Sequence, residues 1–139
     1  MSLTRIYLPR ETTALSVGAE QLLHQLQTEA SYRGLGLEIV RNGSRGACWL
    51  EPLLEVETPA GRIAYGPVQP EDVASLFDAG FLQGERHPLY LGLVDDIPYF
   101  KNQERLTFAR CGVIDPLSVT AYKNLGGFQG LERALAMSG

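Results

Sequence analysis

The sequence predicts an α/β domain on a small mixed sheet, with elements in the order β-α-β-β-β-α, followed by an extended segment and two short C-terminal helices. Three observations carry that reading. One long segment repeats apolar residues at helical spacing. Several short runs are aliphatic and β-branched. Two of those runs flank a turn containing Pro59 and Gly61.

Ile6–Tyr7–Leu8 reads as the first strand, stopped by Pro9, with Thr12 and Thr13 as N-cap candidates for the next segment. Leu15, Ala19, Leu22, Leu23, Leu26 and Ala30 share one stripe, which predicts a helix over about residues 14–33, ended by Gly34. Gly18 is a poor helix former inside it and suggests a close backbone approach. Leu37, Ile39 and Val40 make the second strand, and residues 43–48 turn. Leu54–Glu57 and Arg62–Tyr65 flank Thr58–Pro59–Ala60–Gly61 as a β-hairpin. Pro70 suits the first turn of a short helix with Val73, Leu76 and Phe77 facing inward and Gly80 at its end.

Past Gln83 the periodicity fades. Residues 84–103 read as a linker or extended wrapping segment, and Arg105–Ala109 as a short strand. Ser118 is a good N-cap for a helix to about Leu125, stopped by Gly126–Gly127, and residues 128–137 form a last short helix. These C-terminal elements make a poor core alone and would expose Leu106, Phe108, Val113, Ile114 and Phe128. The domain reading is therefore 1–83, a linker at 84–103, and a separate segment at 104–139.

The 139 residues are 45% hydrophobic and carry a formal charge of -4, which argues against a nucleic-acid or anionic-membrane footprint. No apolar run is long enough for a membrane span, and the N-terminus lacks the pattern of a secretory signal, so a cytoplasmic location is expected. In a reducing compartment Cys48 and Cys111 read as free thiols. A metal site from Cys48, Cys111, His24 and His87 would need isolated ligands to converge, without the short paired spacing such sites show. Glu51, Glu55 and Glu57 read as the wet face of the hairpin, and Asp95–Asp96 as a solvated loop. Arg10, Arg41 and Arg45 are either solvated or a small patch for an acidic surface or a phosphate.

Ser44–Arg45–Gly46–Ala47–Cys48, then Glu51–Pro52, Tyr65–Gly66 and Gln69–Pro70–Glu71–Asp72–Val73, together with the element order, resemble the thioredoxin-like ferredoxin module. That module is the small two-iron two-sulfur subunit of respiratory complex I and its relatives. The resemblance implies two cysteine pairs as cluster ligands, one after each of the first two strands. Aligned on Gly18–Ala19, the four ligand positions fall on Pro9, Ala14, Ser44 and Cys48. Such a cluster needs four soft ligands. The resemblance therefore implies the fold without the cluster and no metal in this chain. Trp49 is expected to fill the volume that a cluster would occupy.

The run from Arg105 to Pro116, with Cys111–Gly112–Val113–Ile114–Asp115–Pro116 as its centre, followed by Tyr122 and Gly126–Gly127–Phe128, looks like the beginning of the complex I flavoprotein subunit. Subunits of that kind also serve NAD-reducing hydrogenases and NAD-dependent formate dehydrogenases. The two-part match is most similar to the beta subunit of the formate dehydrogenases. It implies the N-terminal portion of a longer subunit, with FMN, NAD and iron–sulfur clusters held elsewhere in the subunit or complex and none in this chain. The implied role is a non-catalytic docking module. Its partners would be other subunits of the complex and the downstream flavoprotein domain, not nucleic acid or membrane. An apolar patch over residues 105–128 would be the contact surface, and the isolated chain could form a homodimer through it. The alternatives are a thiol-based redox protein using Cys48 and a free-standing adaptor of a diaphorase.

Overall fold

The structure, a computed structural model, describes residues 3–137. Five strands form one sheet: β1 (Thr4–Tyr7), β2 (Leu37–Val40), β3 (Leu54–Thr58), β4 (Gly61–Tyr65) and β5 (Tyr90–Leu93). Their spatial order is β2-β1-β3-β4-β5. β1 and β2 run parallel, with Ile6 opposite Ile39, and every other pair is antiparallel. A parallel pair needs a crossover, here supplied by helices α1 (Thr12–Ser16) and α2 (Ala19–Tyr32). The chain continues through α3 (Val73–Asp78), α4 (Pro98–Lys101), α5 (Val119–Asn124) and α6 (Gln129–Ala136).

Strand alternation sorts the sheet residues into two layers. Ile6, Leu8, Leu54, Val56, Ile63 and Tyr65 face Leu22 and Leu26 of α2 and Val73, Leu76 and Phe77 of α3. This is the main core, and each fully buried Leu contributes roughly 1.5–3 kcal/mol through burial. α3 is entered through a 3-10 turn at Pro70–Asp72, closed by a capping box between Gln69 and Asp72. On the other face Leu53 and Ala64 pack with Val94 and Ile97.

Four local expectations change. The helix expected over residues 14–33 is two helices, because Gly18 adopts φ +100, a left-handed conformation that ends one and starts the other. Glu11, not Thr12 or Thr13, caps α1: its carboxylate accepts from the Thr13 and Ala14 amides at 2.8 and 2.7 Å. The segment read as a linker at 84–103 contains β5, which pairs with β4, and its Val94 and Ile97 are buried on the second face. Arg105–Ala109 is a series of turns, not a strand, with Leu106 91% exposed. The chain turns there instead, with the Cys111 amide closing onto Phe108 O and the Val113 amide onto Arg110 O.

The C-terminal helices follow the expected boundaries. Ser118 accepts from the Ala121 amide at 3.1 Å, and Gly126 takes a positive φ just beyond α5. Leu106, Phe108 and Phe128 are exposed, whereas Val113 and Ile114 are half-buried. Leu117, Leu131 and Leu135 add to the apolar surface of the arm. No helix among the described residues is long and apolar enough to cross a membrane.

Candidate functional site

Parallel strands end on the same side of a sheet, so the segments after β1 and after β2 meet at one pole. Backbone hydrogen bonds continue the pairing past the strands: the Leu8 amide donates to Val40 O and the Arg10 amide to Asn42 O. Arg41 fastens the two segments from the side, donating through Nε to Leu8 O at 3.1 Å and through Nη2 to Pro9 O at 3.4 Å. It also pairs with Glu20 at the start of α2. Arg41 is therefore committed, as is Arg45, which forks onto both carboxylate oxygens of Glu55 at 2.6 and 3.1 Å.

At this pole Pro9 is buried two residues past the end of β1, and Ala14 is buried in the first turn of α1. Ser44 is half-buried in the loop after β2. Its hydroxyl accepts from the Gly46 amide at 2.9 Å and donates to Glu51 Oε1 at 3.0 Å. The other carboxylate oxygen of Glu51 accepts from the Leu53 amide at 3.0 Å. Burial pushes the Glu51 carboxyl above its ordinary range, and the neighbouring carboxylates of Glu11 and Glu55 act in the same direction. The two hydrogen bonds oppose this shift without cancelling it.

Cys48 opens a 3-10 turn (Cys48–Leu50) and is exposed, its Sγ 3.9 Å from Gly46 O. Trp49 does not fill an interior volume. It is 60% exposed and meets Tyr99 edge-on, with ring centroids 4.7 Å apart. The 3-10 turn carries it outward, and Leu50 and Leu53 face the second core instead.

Glu51 and Glu55, expected on a wet hairpin face, are both buried; of that trio only Glu57 remains exposed. The reason lies beyond the hairpin. The chain from Val94 to Ile114 covers the second face of the sheet, so a side chain pointing away from the main core meets more protein. Tyr7 and Ala64 on that same face were the available sign that it is not solvated. Asp96 is exposed and pairs with Lys101 at 3.0 Å, while His87 contacts Ser75 through Nε2 at 3.0 Å. His24 is exposed on α2, and Cys111 is exposed on the C-terminal segment. Among the described residues, no group of three His, Cys, Asp or Glu side chains is placed to hold a metal ion.

No family model and no curated protein matches the chain. Solved structures do. The wild-type thioredoxin-like 2Fe-2S ferredoxin from Aquifex aeolicus superposes with a TM-score of 0.54 at 20% identity, covering 66% of this chain and 99% of that one. A second structure of a thioredoxin-like 2Fe-2S ferredoxin from the same organism gives 0.50 at 17% identity, covering 66% and 93%. A cysteine-to-serine variant gives 0.50 at 18% identity, covering 65% and 99%. The chain thus has the thioredoxin-like ferredoxin fold, with a further third of its length outside the match.

The residues at the pole do not fit the group those ferredoxins are named for. A 2Fe-2S centre takes four thiolates or, in one class, two thiolates and two histidines. Of the four positions that the sequence resemblance implies, Pro9 and Ala14 carry no donor atom, and the Ser44 hydroxyl is engaged by Gly46 and Glu51. Cys48 alone offers sulfur.

Proposed function

We propose that this chain is a cluster-free docking module of the flavoprotein subunit of an NAD-dependent formate dehydrogenase. In this reading the ferredoxin fold is kept as a scaffold, and electron transfer between NAD(H) and iron–sulfur centres belongs to other parts of the assembly. FMN, NAD and the clusters reside outside the chain, and the assembly is cytoplasmic. The observation that supports the proposal is the donor set at the four positions where the sequence resemblance implies ligands: one exposed thiol and a hydroxyl held by a buried carboxyl. The sequence resemblance of residues 105–128 to the start of the complex I flavoprotein subunit supplies the partner. The exposed Leu106, Phe108, Leu131 and Leu135 of the C-terminal segment supply an apolar surface of the kind that docking uses.

The test is direct binding of the purified chain to a purified FMN- and NADH-binding diaphorase lacking this module, followed by titration calorimetry. Saturable binding that is lost on Leu131→Asp with Leu135→Asp supports the reading. No binding, or binding indifferent to both substitutions, removes it.

The exposure of Cys48 favours one alternative, a thiol-based redox protein. A thiolate titration of the Cys111→Ser variant separates the two. A Cys48 thiol that ionises below neutral pH supports the redox reading, and one that ionises in the ordinary thiol range removes it.

A further inference from the structure

Glu55 is fully buried on β3, and two arginines reach it. Arg45 comes from the loop after β2. Arg62 comes from β4, its guanidinium 3.4 Å above the centre of the Tyr7 ring and its Nη1 3.2 Å from Glu55 Oε2. Arg62 does not stop at the carboxylate. Nη1 also donates to Gly112 O at 3.3 Å, and Nη2 donates to Val113 O at 2.7 Å. Asn42, buried in the loop after β2, donates through Nδ2 to the same Gly112 O at 2.8 Å. Arg105 donates through Nη2 to Arg45 O at 2.6 Å.

These contacts link residues far apart in the chain. They join the β2 loop, β3 and β4 to a short stretch of the C-terminal segment that belongs to no helix or strand. The backbone fits closely there. Gly112 has φ +78, and a Cβ on it would run into the Arg45 side chain. The Gly112 amide also lies against Gly43. Planar guanidinium groups suit this task, because one fork can meet a carboxylate and two carbonyls at once.

We infer that the Glu55–Arg45–Arg62 triad is a latch that holds residues 105–115 as a strap across the second face of the sheet and so fixes where the α5–α6 arm projects. A buried carboxylate with two arginines is a poor device for stability alone, since desolvation offsets much of the attraction. It suits holding one arrangement, because Arg62, fixed against Glu55 and the Tyr7 ring, presents its remaining N–H groups to Gly112 O and Val113 O in one geometry. The latch concerns how the segment is held, not what binds it, and so stands independently of the docking proposal.

Amide hydrogen exchange on the full chain tests it. The Cys111 and Val113 amides, which close turns onto Phe108 O and Arg110 O, report the strap; the amides of β1, β3 and β4 report the sheet. Arg62→Ala is expected to speed exchange across 105–115 by at least about ten-fold more than it speeds exchange of the sheet amides, given the strength of hydrogen bonds to charged donors. Arg62→Lys is expected to fall between wild type and alanine. Should Arg62→Ala not fold, Arg62→Lys decides, because it keeps a cation beside Glu55 but loses the fork onto Gly112 O and Val113 O. It is expected to show the same selective loss. The latch is overturned by a strap that exchanges like an unstructured peptide in the wild type. Equally, variants that leave the strap unchanged, or that raise strap and sheet together, overturn it.

Discussion

The Ser44 hydroxyl donates to the Glu51 carboxyl across 3.0 Å, and this contact closes the loop after β2 onto the start of the hairpin. It stands where the sequence resemblance implies a ligand, and it forms a polar seam there. Glu51 is buried and its carboxyl is pushed upward in pKa by that burial. The folded state therefore holds the Glu51 proton more tightly than the unfolded chain does. The stabilisation from the protonated form is fully present below the ordinary value of 4.5 and is lost as pH rises through the folded pKa.

Glu51→Gln should remove that component of the pH dependence. The amide can accept from the Leu53 amide and donate to Ser44, which then acts as acceptor, so both hydrogen bonds survive. Urea unfolding of wild type and variant across about pH 5–8 is the check. The variant is expected to match or exceed wild type at neutral pH, with the difference shrinking in acid. A variant less stable by more than about 1 kcal/mol at neutral pH contradicts the assignment.

Gly18 divides the helical segment because it sits at φ +100. Gly18→Ala is expected to destabilise the fold by about 1 kcal/mol or more, the reverse of the usual gain from replacing glycine in a helix. Thermal denaturation decides it: a raised midpoint would mean that the segment prefers the single continuous helix.

Leu26 is fully buried between α2 and the sheet. Leu26→Ala should cost about 2–5 kcal/mol, enough to threaten a domain of this size. Trp49→Ala, by contrast, should stay within about 1.5 kcal/mol of wild type, the range of an aromatic edge contact such as the one with Tyr99. Paired denaturation curves test the contrast. A Trp49 variant as damaged as the Leu26 variant would restore an interior role for the indole.

Much of the main core was legible. The stripe of Leu22, Leu26 and Ala30, the alternation of Leu54 and Val56, and the inward Val73, Leu76 and Phe77 all come from periodicity, which depends only on local geometry. What periodicity cannot show is a second cover. Glu55 alternates like any solvated strand residue, and only the later return of Val94, Ile97 and the strap buries it. The same long-range pairing hid β5, whose Tyr90–Leu93 has a glycine at position 92 and no alternation of its own. At the pole, the positions of Pro9, Ala14, Ser44 and Cys48 relative to the strands could be read from residue order. The Ser44–Glu51 contact could not, because it depends on how a loop folds back.

Iron and acid-labile sulfide content of the anaerobically prepared chain, measured after incubation with ferrous iron and sulfide, tests the central claim most directly. A cluster-free module stays colourless, with iron and sulfide far below one per chain and no change on reduction. Stoichiometric iron and sulfide with the visible bands of a 2Fe-2S centre would contradict it.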